Sequence, residues 1–147
     1  MKNLTSRFLA LALAASFVFC LAGCSKADLT LLNEKTVAML DLSVERDTEG
    51  RFSMIYPGVT DIESYRSTAE MMDEYFPITS GYTWKRLEWH ITTDLSKSSK
   101  FYDGLYQVVF DENVFYLYAT WRADRDGEGF TNFQIVNEAE WEAAQNK

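Results

Sequence analysis

Two cysteines, two prolines and one histidine are all that 147 residues hold of those types, and 14 Lys plus Arg face 22 Asp plus Glu. Each shortage excludes something. A single histidine, His90, leaves no paired-histidine protease motif and no His-rich zinc site. Scarce proline beside 15 % aromatic residues is not the composition of a disordered or Pro-rich chain, so a folded domain is expected. The formal net charge of −8 comes with no basic cluster, which argues against nucleic acid as a partner, because phosphate backbones are held mainly by Lys and Arg. No Gly-x-Ser-x-Gly elbow supports a serine hydrolase. The one long apolar run, Phe8 to Ala22, is shorter than the roughly 20 residues a membrane-spanning helix needs.

What is present at the start is an ordered set of signals. Lys2 and Arg7 precede the apolar run, its length suits the core of a secretory signal, and it closes as Leu21-Ala22-Gly23-Cys24. These residues resemble a bacterial lipoprotein signal, in which cleavage precedes the cysteine and the cysteine carries the lipid. The resemblance implies a signal peptide over 1–23, lipid attachment at Cys24, a short tether over 24–28, a single domain over 29–147, and export to a cell membrane or outer membrane. Ser25 stands where sorting signals of this kind place an aspartate for inner-membrane retention. Cys20 then leaves with the signal, and the exported domain has no thiol for a disulfide, a thiolate metal site or a nucleophile. Loss of Lys2 and Arg7 makes the remainder more acidic, so the lipid, rather than the protein surface, is the expected membrane contact.

The domain reads in two halves. Leu29 to about Asp47 lacks Gly and Pro, and Leu29, Leu32, Thr36, Met39, Leu40 and Ser43 fall on one helical stripe. Glu49-Gly50 is expected to end that helix, Phe52 to Tyr56 to form a short helical piece, and Pro57-Gly58 to turn. Thr60 and Glu63 have capping-box spacing ahead of a second helix whose face is Ile62, Tyr65, Ala69, Met72 and Phe76, stopped by Pro77. Beyond Gly81 the period becomes two. Trp84 to Thr92 alternates Leu87, Trp89 and Ile91 against Arg86, Glu88 and His90, and strands follow over Phe101 to Phe110, Val114 to Ala123 and Phe130 to Val136. Turns are expected at Asp111-Glu112-Asn113 and Asp126-Gly127, and Asn137 with Glu140 caps a short terminal helix through Trp141.

The expected class is therefore α+β, with N-terminal helices packed on a curved antiparallel sheet of about four strands. Over residues about 29 to 136 this element order, with the Pro57-Gly58, Tyr106 to Phe110 and Phe130 to Ile135 patterns, resembles the nuclear transport factor 2-like (cystatin-like) fold. Within it the chain is most similar to small exported bacterial lipoproteins of uncharacterised function. Such folds often keep a pocket between helices and sheet, and ketosteroid isomerase, a member, uses Tyr and Asp there for proton transfer.

Candidate chemistry in this chain is sparse. His90 falls on the wet face of its strand and reads as solvated. Asp124-Arg125-Asp126-Gly127-Glu128-Gly129 begins like a calcium loop, but the closing acid would fall at Ile135 and the flanks are strands, so it reads as a charged hairpin tip. No catalytic residue, metal site or cofactor is assigned. Trp89, Phe115, Trp121 and Phe133 should share one sheet face beneath the Tyr65–Met72 helix, with Tyr65, Trp89 and Trp121 as candidates for lining a pocket. Tyr116 and Tyr118 should lie on the other face near Arg86 and His90 as a candidate partner surface. The function expected is a non-catalytic binding or accessory module for an unknown protein or small molecule. A small pocket enzyme of isomerase, dehydratase or hydrolase type is the alternative, and it would require an inward acid that the pattern does not place.

Overall fold

The computed structural model describes residues 26–74 and 81–146. The chain divides between Leu31 and Leu32. Of the first part, residues 26–31 are helical; all that follows concerns the second. There α1 (residues 32–44), α2 (Thr48–Ser53) and α3 (Ile62–Asp73) precede β1 (Tyr82–Asp94), β2 (Ser99–Phe110), β3 (Asn113–Asp124) and β4 (Gly127–Asn137), with α4 (Glu138–Gln145) last. The strands form one antiparallel sheet in the order β1-β2-β3-β4, curved and not closed, and the fold is α+β as expected. Among the described residues no helix is long and apolar enough to cross a membrane.

The stripe on α1 is the core stripe: Leu32, Thr36, Met39, Leu40 and Ser43 are all buried. Its end departs from expectation. Arg46 takes a left-handed φ of 58°, its N–H bonds Ser43 O at 3.2 Å, and Asp47 N–H reaches back to Leu42 O at 2.9 Å, a glycine-type terminus made by an arginine. Glu49 and Gly50 do not end a helix; they lie within α2, which Asp47 caps by accepting from Gly50 N at 2.9 Å. Gly50 is there for space, since a Cβ would lie 2.5 Å from Asp47 Oδ2 and 2.7 Å from Leu42 Cδ2. The helical piece thus comes earlier than Phe52 to Tyr56, and residues 54–56 do something else. Likewise α3 is capped by Asp61, whose carboxylate accepts from Ser64 N–H at 2.9 Å and its hydroxyl at 3.0 Å, rather than by Thr60 with Glu63. Phe76 and Pro77 lie outside the described residues.

Strand register puts Trp89, Gly104, Ala119 and Phe133 in one row, and Ile91, Tyr102, Trp121 and Phe130 in another. The tryptophans and phenylalanines share a face as expected, but α1, not the Tyr65–Met72 helix, crosses it. A Cβ at Gly104 would come within 3.0 Å of Leu32 Cδ2; Tyr106 OH donates to Asn33 Oδ1 at 3.0 Å; Lys35 Nζ sits 4.7 Å from the Trp121 ring centroid. A β-bulge between Arg86 and Glu88 inserts Leu87 into β1. One extra residue reverses the faces on its N-terminal side, so Arg86 joins the Tyr106 and Leu117 row and reaches Asn33 Oδ1 at 3.4 Å, while Leu87 is 41 % exposed. The expected grouping of Arg86 with His90 is thereby corrected.

Residues 54–56 form a strap across the outer edge of β4. Tyr56 N–H donates to Phe130 O at 2.9 Å and Phe130 N–H to Met54 O at 2.7 Å, making a parallel bridge between Ile55 and Phe130. The approach requires glycine next door: a Cβ at Gly129 would lie 2.6 Å from the Ile55 carbonyl carbon and closer still to the Tyr56 nitrogen. Gly129→Ala should therefore cost about 1–3 kcal/mol by prying the strap from the edge. Gly81→Ala, where a Cβ meets nothing within 4 Å, should cost far less. Urea denaturation of both variants checks this, and equal losses would refute it.

A candidate binding cavity beside the strap

Between α2, α3, the strap and β4 lies a cavity of about 240 Å³. Its walls are mostly apolar, with Met39 from α1, Ile55 from the strap, Met72 from α3, and Phe130 and Phe133 from β4. Arg51 of α2 contributes its polar corner. That side chain is 2 % exposed, and a buried guanidinium needs a partner. Asp73, at the last turn of α3, supplies one in bidentate form, Nη1 to Oδ1 at 2.8 Å and Nη2 to Oδ2 at 3.2 Å, with Nη2 also 3.3 Å from Thr48 Oγ1. The Arg51 Nε has no hydrogen-bond partner among the described residues.

Tyr65 faces the same corner, its ring 5.5 Å from that of Phe52. Burial pushes the phenol pKa up, the Arg51 charge opposes this, and the Asp73 charge adds to it. Its hydroxyl is therefore protonated at neutral pH and makes no hydrogen bond among the described residues. A second hollow of about 280 Å³ continues along β4, sharing Met72 and Phe133 and reaching Glu140.

Of the residues singled out from sequence, Tyr65 lines the cavity and the other two do not. Trp121, 3 % exposed, stacks edge-on behind Phe130 with ring centroids 4.8 Å apart, so it backs the wall. Trp89 sits in the sheet row of Gly104 and Ala119, half-buried and away from the lining. On the outer face Tyr116 is stacked on Trp141 of α4 at 4.6 Å, and Tyr118, 42 % exposed, donates to Asp103 Oδ1 at 3.0 Å. The capping box that places α4 is formed, Asn137 Oδ1 accepting from Glu140 N–H and Glu140 from Asn137 N–H. Tyr116 and Tyr118 pair with Gln107 and Leu105 of β2, beyond which Lys85 and Glu88 of β1 lie in the same rows, with His90 exposed opposite Asp103; Arg86 is on the other face. Cys24 lies outside the described residues. Among the described residues no three His, Cys, Asp or Glu side chains gather as metal ligands.

A second polar cluster holds the strap rather than lining the cavity. Asp124, with a 3 % exposed side chain at the end of β3, accepts from Tyr56 OH at 2.8 Å, Ser99 Oγ at 3.2 Å, Arg122 Nε at 2.7 Å and Asp126 N–H at 2.9 Å. The Arg122 guanidinium also lies 4.3 Å over the Tyr56 ring. The expected charged hairpin tip is thus tied inward at Asp124. Burial alone would raise this carboxyl's pKa, but hydrogen bonds from Tyr56, Asp126 N–H and Arg122, with the Arg122 charge, hold it at about 2.

No protein-family model matches the chain, and no curated protein sequence matches it significantly.

Because the folded pKa of Asp124 lies below the unfolded value of 3.8, its contribution to stability is complete by about pH 5 and is lost as pH falls through the folded value of about 2. Asp124→Asn should be less stable at pH 7 and show a shallower loss across that window. Parallel pH-dependent thermal melts check it; identical slopes for the two proteins would contradict the assignment.

Proposed function

We propose that this chain is an exported, lipid-anchored, non-catalytic binding or accessory module of the nuclear transport factor 2-like type, with the cavity beside the strap as its small-molecule site. The observation that carries the binding half is the cavity's composition. Mostly apolar walls with a charged corner suit retention of a small ligand, and Arg51, the corner's cation among the described residues, is already neutralised by Asp73. Among the described residues Tyr65 remains as the lone unpaired titratable group there, and a phenol whose pKa is raised is a poor base at neutral pH. That favours retention over turnover. Helices followed by a four-stranded meander support the fold-family reading, and the Leu21-Ala22-Gly23-Cys24 box supports the anchor.

The two halves are tested separately. The full chain produced in a bacterial host should partition into the detergent phase on Triton X-114 separation and carry acyl chains at Cys24 by mass spectrometry. Cys24→Ala should abolish the acylation, and an unmodified Cys24 would end the anchor proposal. For the cavity, benzene titrated into chain carrying 13C-methyl methionine should shift the Met39 and Met72 signals saturably, a 150 Å³ apolar cavity being enough for benzene. Thr68→Trp, a change at an exposed α3 position on the cavity wall, should remove the saturable shift without unfolding the protein. Linear shifts, or the same saturation in the variant, would refute the site.

A further inference from the structure

The polar groups around the cavity narrow its ligand further, given that the binding proposal above holds. Most of them are already committed. Ser43 Oγ donates to Met39 O at 2.7 Å, Thr68 Oγ1 to Ser64 O at 3.1 Å, Thr60 Oγ1 to Asp61 O at 3.4 Å and Thr131 Oγ1 to Thr120 O at 3.5 Å, and both Arg51 Nη atoms are held by Asp73 and Thr48. Asn132 is exposed at the rim. What remains in the sheltered corner are two N–H or O–H groups, the Tyr65 hydroxyl and the Arg51 Nε–H, neither with a hydrogen bond among the described residues. Of these the Arg51 Nε is sealed from solvent, whereas Tyr65 is half-buried and within reach of a molecule in the cavity.

We infer that the cavity selects an uncharged, mainly apolar molecule of about ten non-hydrogen atoms bearing one hydrogen-bond-accepting oxygen, received by the Tyr65 hydroxyl. Size follows from scaling a 150 Å³ benzene cavity to the 240 Å³ present. Neutrality follows from the ion pair: Arg51 and Asp73 already sum to zero, so an entering carboxylate would meet a second negative charge with no free cation among the described residues of the corner. The acceptor follows from the donors. A pure hydrocarbon would displace water from the phenol and return nothing, whereas an ester or ether oxygen replaces that water directly. The raised pKa of Tyr65 keeps the proton on the donor.

Three probes of similar size separate these features: methyl benzoate, benzoate and propylbenzene. Each is titrated into the full chain in detergent, with the Met39 and Met72 methyl signals as the readout, for wild type and Tyr65→Phe. Because the Tyr65 hydroxyl makes no hydrogen bond among the described residues, the variant keeps the ring contact with Phe52 and should fold normally. Detergent partitioning of a probe is common to both proteins and cancels in the comparison. Tyr65→Phe should weaken methyl benzoate roughly five- to ten-fold, the size of one neutral hydrogen bond, and leave propylbenzene unchanged, while benzoate should bind wild type least well. Tightest binding by benzoate, or an ester affinity unchanged in Tyr65→Phe, would overturn the ligand class while leaving the cavity as a binding site. Absence of a saturable shift with all three would overturn the binding proposal itself.

Discussion

Two backbone hydrogen bonds at Phe130 organise what surrounds them. They make residues 54–56 a fifth, one-bridge element on the outer edge of β4, and everything attached to that segment is positioned by them. Upstream, α2 is held so that Arg51 points into the interior; downstream, the Pro57-Gly58 turn leads to α3 and Asp73. An edge strand with unpaired N–H and C=O groups is otherwise a site for unwanted pairing, and the strap covers part of it. The contact exists only because residue 129 has no side chain to hold the two backbones apart.

Asp124 reinforces the same joint from the side chains. One carboxylate collects hydrogen bonds from the strap (Tyr56), from the start of β2 (Ser99), from its own strand (Arg122) and from the hairpin turn (Asp126 N–H). A buried carboxylate is tolerable because donors of positive or partially positive charge surround it, which is why its pKa falls despite burial. The Arg51–Asp73 pair does the corresponding work between α2 and α3. Between these two polar locks the walls are apolar, and because α1 occupies the middle of the sheet, α3 is left beside β4. The cavity is the space that this arrangement leaves.

Much of the frame was legible from local pattern. The α1 stripe, four strands, the turns at Asp111 and Asp126-Gly127, and the Asn137–Glu140 box all involve residues within a few positions of each other, where spacing translates directly into geometry. Misreadings arose where a residue acted outside its usual local role. Arg46 terminates α1 in a conformation usually given to glycine, and Gly50, read as a terminator, serves a close approach to Asp47 and Leu42 instead. Leu87 looks like an inward residue until one counts it as the inserted member of a bulge, and that single insertion sends Arg86 to the opposite face.

The candidate site was less legible for the same reason carried further. Tyr65 stood out as an aromatic on an amphipathic helix, but Arg51 gave no signal, since its partner Asp73 is 22 residues away and nothing in either neighbourhood marks a buried pair. By itself the sequence determined the α+β class, the alternation that makes one sheet face apolar, and the signal-like N-terminal pattern with Cys24, because these depend on periodicity and short-range spacing. Only the tertiary structure decided which helix crosses the sheet, that residues 54–56 clasp the β4 edge, and that Arg51, Asp73 and Tyr65 meet at one corner of a cavity. Those outcomes depend on a glycine's missing side chain, a bulge and a long-range ion pair, each of which takes its meaning from a partner distant in the chain.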